Sequence, residues 1–349
     1  IDEAQDLPRN YFEAIVKLML STKIDVVVVG DKLQSLEYKK NFMTCIEEKI
    51  PNIDVIIESP INENRRINVN TMSDKINDII QFDKYDLPKI SIPEDRITNL
   101  KNSDDDIIEI VDQSGVLSGI SGKHDNEMVS DIINMFVENI IKNVDKEVNQ
   151  NGYVPNDFLF VFPIMKNNNI ASELETRLNH YWINKYGQYD NSYTNYAVLH
   201  KHETGQVINM DKSKNASRIV SIRTSKGDGR NVVFVLGCTE ASLKIVGQCE
   251  NKDLIYESYL HVALTRAKTK MYFGLDQNND DLHARFGSNG LVEFKPKINN
   301  KLKLNDVVNF MDKEKTIKLL QENDVLEYSD DTESSMNIQQ KQVVDWQYH

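Results

Sequence analysis

The sequence has 349 residues, 40% hydrophobic and 27% charged, a balance typical of a globular protein with room for two domains. Its net charge of −13 argues against a protein that coats nucleic acid, so any nucleic-acid site must be a local group of basic residues. No apolar run approaches the ~18 residues of a membrane span, and three widely spaced cysteines argue against a disulfide framework. We therefore expect an intracellular protein, cytoplasmic or nuclear, with no membrane partner.

The start of the chain predicts two helices separated by a buried strand. Apolar residues recur at helical spacing in "LPRNYFEAIVKLML", residues 7–20, and again in "NVNTMSDKINDIIQF", residues 68–82. Between them, "IDVVVVGD", residues 24–31, is a continuous β-branched run that ends in Gly-Asp. Such a run is typical of a central parallel strand that is covered on both faces.

The middle of the chain alternates between strand and helix patterns. "IIEIV" predicts a strand, and "DNEMVSDIINMFVENIIKNV" predicts an amphipathic helix. The apolar stripe of that helix would include Met128, Ile132, Met135 and Phe136. "DFLFVFPI" then predicts another strand, and "NNIASELETRLNHYWINKYG" another helix.

The remaining elements complete an α/β pattern. "YAVLHKHETGQVINM" predicts a hairpin that turns near Gly205, and "RIVSI" and "NVVFVLG" predict two strands. A helix is expected over residues 253–268, followed by a strand in "KMYFGL". This alternation predicts a mainly parallel sheet with flanking helices. After about residue 298 the chain is charged and predicted to be largely disordered, and its acidic stretch is either a protein-binding segment or a solvated end.

Two segments could supply one half of a magnesium-nucleotide site. If a strand ends just before "IDEAQD", Asp2 could hold Mg²⁺ through its water shell at the carboxyl edge of a parallel sheet, and Glu3 could orient or deprotonate a water molecule. The alternative is an ordinary acidic pair ahead of a helix. In "VVVVGDKLQSL", a strand that ends at Gly30 and Asp31 places Gln34 near the same sheet edge, where it could sense a γ-phosphate or simply face solvent.

Three basic segments could supply the other half. "NENRRIN" places two arginines before a helix, and arginine is suited to bidentate phosphate contact, although surface arginines are also simply solvated. "SIRTSKGDGRNVVFVLG" contains a Gly-rich loop whose backbone N–H groups could meet phosphate. In "YLHVALTRAKTKMYFGL", Arg266 lies where a helix meets a strand and could act as an arginine finger.

In this order, these five segments resemble motifs II, III, IV, V and VI of superfamily 1 helicases, most closely the UvrD/Rep/PcrA-like group. The resemblance covers about residues 1–275, and "VALTRAK" is its most specific part. It implies a RecA-like P-loop NTPase fold with parallel sheets and flanking helices, and it implies ATP and Mg²⁺ as cofactors. It also implies an ATP-dependent DNA helicase or translocase that moves on single-stranded DNA and unwinds duplex, so single-stranded or partly duplex DNA would be the partner.

The resemblance also implies a role for each matched residue. Asp2 would coordinate Mg²⁺, Glu3 would activate the hydrolytic water, and Gln34 would couple the γ-phosphate to DNA movement. Arg66 matches the arginine of motif IV, and Arg266 matches the finger of motif VI. The nucleotide-binding set would be Asp2, Glu3, Gly30, Asp31, Gln34, Arg66, Lys226, Gly227 and Arg266. The nucleic-acid-binding set would be Tyr38, Arg223, Thr224 and Ser225.

The same resemblance divides the chain. Residues 1–60 would be the C-terminal part of a first RecA-like domain, and residues 299–349 a charged tail. Residues 61–298 would be a complete second domain, with the accessory insertion reduced to about 187–217. The Walker A loop, G-x-x-x-x-G-K-[ST], does not occur in the sequence. We expect that loop ahead of Ile1 in a longer protein, and we expect the chain alone to be inactive as an ATPase.

Two departures from the family pattern leave alternatives open. Gly229 stands where motif V usually has a Glu that contacts the ribose, and Arg65 stands where motif IV usually has a Tyr. An RNA helicase of the same superfamily is one alternative. A non-catalytic module that grips nucleic acid or protein is another.

Overall fold

The computed structural model describes residues 1–37, 41–46, 56, 63–97, 107–114, 116, 127–187, 195–200, 210–276 and 280–288. The strands in this part of the chain are β1 (Ile108–Asp112), β2 (Phe158–Phe162), β3 (Ala197–Leu199), β4 (Ser217–Ser221), β5 (Arg230–Val235) and β6 (Ala267–Leu275). They form one six-stranded sheet in the order β1-β6-β5-β2-β4-β3, and every neighbouring pair is parallel.

Helices flank this sheet. They are α1 (Arg9–Thr22), α2 (Phe42–Ile46), α3 (Asn70–Ile79), α4 (Glu127–Asn151), α5 (Asn169–Tyr186), α6 (Glu240–Gly247), α7 (Leu254–Leu264) and α8 (Asp280–Ser288). The predicted α/β class with a parallel sheet is therefore confirmed, and the arrangement is consistent with a RecA-like domain. Among the described residues, no helix combines the length and the apolar character that a membrane crossing requires.

The centre of the sheet is buried on both faces. Every residue of β2 is buried, and Phe160 lies in register with Phe234 of β5, with the two rings stacked at a centroid distance of 4.9 Å. Apolar residues of α4 and α5 cover one face, and those of α3, α7 and α8 cover the other. Near-continuous apolar runs such as "FLFVF" fold as strands here because both of their faces meet helices.

The predicted strand over "IDVVVVGD" is wrong as a buried central strand. Val29 donates a backbone hydrogen bond to the Ile1 carbonyl at 2.8 Å, and Ala4 donates to the Val29 carbonyl at 3.1 Å. The segment thus runs alongside the first residues in an extended conformation, but it is not assigned as a strand, and Val27 is 77% exposed. A β-branched run is buried only when helices cover both faces, and the described residues provide no such cover here.

The helix predicted over residues 253–268 is shorter than expected. α7 ends at Leu264, Thr265 caps it, and β6 begins at Ala267. Arg266 therefore lies in a tight turn between a buried helix and a buried strand. Backbone groups of the helix and of the neighbouring loop surround a residue in such a turn, and the Arg266 side chain donates hydrogen bonds to them.

Other local predictions also need correction. β3 pairs in parallel with β4, and Met210–Ser213 forms a 3-10 turn, whereas residues 201–209 of the predicted hairpin lie outside the described residues. The expected turn at Gly205 lies outside the described residues. On α4, Met135 is 72% exposed, while Ile133 and Val137 are buried. α6 was not predicted.

The described residues up to Ile46 have a small core of their own. Phe12 of α1 packs edge-on against Phe42 of α2, with ring centroids 5.3 Å apart. Leu33 and Leu36 instead pack into the core that α3 and α7 form on the sheet. The division of the chain near residue 60, the reduced insertion and the tail remain predictions, and the tail lies outside the described residues.

Candidate functional site

Sequence-distant candidates meet beside the amino ends of β5 and β6. Gly229 immediately precedes β5 and Arg266 immediately precedes β6, and Arg230 donates a backbone hydrogen bond to the Arg266 carbonyl at 3.2 Å. The 3-10 turn Lys32–Gln34 approaches the same place, because its Leu33 packs with α7. The acidic residues 2–6 thereby lie against the Gly-rich loop, residues 223–229, and against the turn that contains Arg266.

Gln5 organises the acidic side. Its side chain is fully buried, with Oε1 accepting from the Asp31 N–H at 3.0 Å and Nε2 donating to Glu3 Oε2. Gly30 permits this close approach, since a Cβ there would lie 2.6 Å from Gln5 Oε1. One buried amide therefore fixes two of the predicted site segments relative to each other.

The other acidic-side candidates lie close to this amide in space. Asp31 caps the turn by accepting from the Leu33 N–H, and its Oδ2 accepts from Gln34 Nε2, both at 2.9 Å. Gln34 is therefore held by a neighbouring carboxylate. Asp2 and Glu3 are exposed, and Asp2 accepts from the Glu3 N–H at 2.9 Å.

Arg266 is fully buried on the basic side. Its Nε donates to the Val262 carbonyl at 2.7 Å, and its Nη1 donates to the carbonyls of Ser225 and Asp228, each at 3.2 Å. Its Nη2 donates to Thr265 Oγ1 at 3.0 Å. The guanidinium thus links the end of α7 to the Gly-rich loop between β4 and β5.

Arg66 lies next to this buried guanidinium. The Asn64 side chain accepts from the Arg66 N–H at 2.8 Å, which fixes the local turn, and Arg66 Nη1 donates to the Thr265 carbonyl at 3.3 Å. Burial lowers the pKa of Arg66, and Asp228 partly opposes that effect. The two predicted phosphate-binding arginines are therefore brought together.

The electrostatics of the arginine pair are those of a cationic, partly dry site. Burial, followed by repulsion from Arg66, lowers the pKa of Arg266 to about 9. Asp228 and Asp31 act in the opposite direction. In such an environment an anion is attracted more strongly than at an exposed surface.

Lys226 bridges the two sides. Its ammonium lies 2.5 Å from Asp6 Oδ2 and 3.6 Å from Glu3 Oε2. Gly227 follows with a φ of +80°, a left-handed conformation that glycine adopts without steric cost. The predicted nucleotide-site lysine is therefore an ion-pair partner of the N-terminal acids.

His261 is a buried member of the site that the sequence did not reveal. Its ring packs edge-on against Phe82 with centroids 6.1 Å apart, it hydrogen-bonds with the Leu33 backbone, and its Nδ1 has no hydrogen-bond partner within the described part of the chain. Burial lowers its pKa to about 4, Asp31 opposes that shift, and Arg266 adds to it. The ring is therefore neutral at physiological pH.

Sequence reasoning also missed Gln5, Asp6 and Asp228. Gln5 and Asp6 lie in the quoted "IDEAQD", so polar residues beside the proposed carboxylates were the available signal. Asp228 lies in the quoted Gly-rich loop and binds Arg218 Nη1 at 2.7 Å, an ion pair that holds the loop and lowers the pKa of Asp228 against the opposing effect of burial.

The predicted nucleic-acid residues form part of the same loop. Arg223 is exposed and pairs with Glu37. The hydroxyls of Thr224 and Ser225 bond within their own turn, and Ser225 is buried. Tyr38 lies outside the described residues. Of this set, Arg223 is the most accessible to a strand.

The residues fit a phosphate chain better than a protein-only metal centre. Arg66, Arg266 and Lys226 are the donor types that bind phosphate oxygens. In the described ranges there is no group of three His, Cys, Asp or Glu side chains that could hold a metal. An exposed carboxylate such as Asp2 still fits Mg²⁺ that takes its other ligands from phosphate and water.

Comparisons with known proteins give a structural match of low similarity. No family model matches the chain, and no curated protein matches it. A solved structure similar to this chain is the C-terminal domain of a possible DNA helicase from Lactobacillus plantarum WCFS1, with 10% identity and a TM-score of 0.34. The similarity covers 64% of this chain and 94% of that one. At this level it does not bear on the function of the chain.

Proposed function

We propose that the chain is the motor part of an ATP-dependent DNA helicase or translocase, with the nucleotide bound where the acidic N-terminal segment faces the arginine pair. The observation that carries the proposal is the position of Arg66 beside Arg266, opposite the turn that holds Asp31 and Gln34. Two cations at a partly dry site attract a multivalent anion, and a nucleoside triphosphate is such an anion.

Arg66 is the better placed of the two arginines to meet a phosphate. It is partly exposed, and within the described structure its guanidinium uses one N–H on the Thr265 carbonyl. Arg266 is fully buried and donates to three carbonyls and to Thr265 Oγ1, so a phosphate would reach it only after the surrounding turn moves. Arg266 therefore first shapes the loop and then completes the phosphate contact when the nucleotide binds.

The acidic residues would bind Mg²⁺ and activate the attacking water. Mg²⁺, when bound with ATP, would neutralise phosphate charge, and Asp2 would hold it. Exposed Glu3 would orient the attacking water and accept its proton. Gln34, fixed by Asp31, would register the presence of the terminal phosphate.

The same contacts would connect nucleotide state to movement. Lys226 joins Glu3 and Asp6 to the Gly-rich loop, and that loop also carries exposed Arg223. A change at Glu3 during hydrolysis would therefore reach a residue able to contact a nucleic-acid backbone. Alternating closure of this junction would move the protein along a strand.

Nucleotide binding by the full chain tests the site. The anisotropy of a fluorescent ATP analogue is measured with Mg²⁺ for the wild type, for Arg66→Ala and for Arg65→Ala. Losing Arg66 should weaken binding about tenfold or more, because a hydrogen bond to a charged group contributes about 1.5–3 kcal/mol. Arg65 is the matched control, since it is exposed and pairs with Glu63.

Further results distinguish the proposed motor from the alternative functions. Equal affinity in the two arginine variants contradicts the proposed site. Matched single-stranded DNA and RNA oligonucleotides, titrated in parallel, separate a DNA motor from an RNA motor. Strand binding without nucleotide binding would instead support a non-catalytic module.

A further inference from the structure

Gly229 occupies a place where a side chain would meet Arg66. A Cβ at this position would lie 2.5 Å from Arg66 Cδ, 2.7 Å from Arg66 Nε and 3.0 Å from the Arg266 carbonyl oxygen. Two of these distances are shorter than non-bonded carbon contacts allow. The Arg66 side chain therefore passes directly over the Cα of Gly229.

The need for glycine here is one of space and not of backbone conformation. Gly227, two residues earlier, has a φ of +80° and open space around its Cα, whereas Gly229 is not among the described glycines with positive φ. An alanine at 229 can therefore adopt the native backbone. What it cannot do is leave Arg66 where it lies.

The atoms that would move belong to the flexible part of Arg66. Its backbone is fixed by Asn64, and its Nη1 reaches the Thr265 carbonyl, so the side chain is tethered at both ends. A methyl group between these tethers would displace the guanidinium away from Arg266. The Arg266 carbonyl oxygen, 3.0 Å from the added Cβ, would also have to give by a few tenths of an ångström.

We propose that Gly229 is a positioning residue, whose missing side chain sets the point at which Arg66 and Arg266 together meet a phosphate chain. The identification of the anion rests on the proposed function, whereas the control of Arg66 by Gly229 does not. A longer acidic side chain at 229 would both occupy the space of Arg66 and pair with its charge. Glycine leaves the guanidinium free for an external anion.

The position of Arg66 is read directly in the full chain. The Nε–H resonance of Arg66 is assigned by its loss in Arg66→Ala and then compared between wild type and Gly229→Ala. We expect this resonance to shift in Gly229→Ala and to remain unchanged in Met135→Ala, a control at a 72% exposed position of α4. An unmoved Arg66 resonance in a folded Gly229→Ala protein overturns the proposal.

A thermal-unfolding cycle covers the case in which Gly229→Ala folds poorly. If the added methyl acts through Arg66, Gly229→Ala should lower the melting temperature of the wild type. The same substitution should lower the melting temperature of Arg66→Ala much less. Strict additivity of the two losses would show that Gly229 acts elsewhere and would overturn the proposal.

The anion is tested separately with magnesium-free tripolyphosphate in calorimetric titrations. Gly229→Ala should weaken binding about fivefold or more in the wild-type background and less than about twofold in the Arg66→Ala background. An equal loss in both backgrounds contradicts the role of Gly229. Absence of tripolyphosphate binding by the wild type contradicts the proposed function, and the Arg66 resonance and the unfolding cycle still decide the role of Gly229.

Discussion

Replacing Arg266 with alanine should destabilise the chain by about 3 kcal/mol, because of the carbonyl groups that it would leave behind. The buried guanidinium donates to the carbonyls of Val262, Ser225 and Asp228 at 2.7–3.2 Å. The Ser225 carbonyl would still accept from the Asp228 N–H at 2.9 Å and the Val262 carbonyl from Thr265 Oγ1 at 3.4 Å. The Asp228 carbonyl would therefore bear the main loss, and a buried acceptor that loses its partner costs about 1–3 kcal/mol, to which the vacated volume adds a cavity cost. Relief of the guanidinium's own burial, which lowers its pKa, offsets part of this sum.

Urea denaturation followed by circular dichroism measures this loss. Arg266→Lys should recover only part of the stability, since a lysine carries its three N–H donors on one nitrogen and cannot reach all the carbonyls that surround the guanidinium. Arg9→Ala removes an exposed pair with Glu13 and serves as the control, for which no measurable change is expected. A loss of less than roughly 1 kcal/mol for Arg266→Ala would refute the reasoning from buried carbonyls.

Three further predictions concern pH, exposure and close packing. His261 is neutral in the fold, where its pKa is about 4, compared with about 6.5 in the unfolded chain. The free energy of unfolding should therefore be greatest above pH 6.5 and should fall as the pH drops from 6.5 towards 4. Urea midpoints across that range should decline less in His261→Asn than in the wild type. Val27→Asp should change the unfolding free energy by no more than about 0.5 kcal/mol, since Val27 is 77% exposed, and a loss of several kcal/mol would mean that it is buried. Gly30→Ala should cost about 1–3 kcal/mol by displacing Gln5, and a smaller loss in a Gln5→Ala background, measured by the same denaturation, checks the cause.

The sheet was predictable where the sequence carries its own burial signal. The aromatic and β-branched run of β2 and the helical periodicity of α4 reflect packing on neighbours that the same pattern implies. The run "VVVV" shows the limit of that logic. Its residues have strand propensity, but burial depends on neighbouring elements, and the described residues do not cover Val27.

The site was predictable as a set of residues and not as a set of contacts. Arg66 and Arg266 lie side by side, and the turn that holds Gln34 lies at the same junction, whereas their roles in a nucleotide site remain predictions. The burial of Arg266 depends on carbonyls contributed by a loop about 40 residues earlier, and the position of Arg66 depends on the empty space at Gly229. Neither the loop carbonyls nor a missing side chain leaves a periodic pattern in the sequence.

Steady-state ATP hydrolysis with and without single-stranded DNA tests most directly whether this junction is a motor site. The full chain is joined behind a segment that carries a Walker A loop of the superfamily 1 type, and Glu3→Gln and Arg66→Ala are compared with the unmodified sequence. We predict DNA-stimulated hydrolysis that falls by about 100-fold or more in both variants, as expected when water activation or a phosphate-binding arginine is lost. Hydrolysis that DNA does not stimulate, or that persists unchanged in Glu3→Gln, would contradict the assignment.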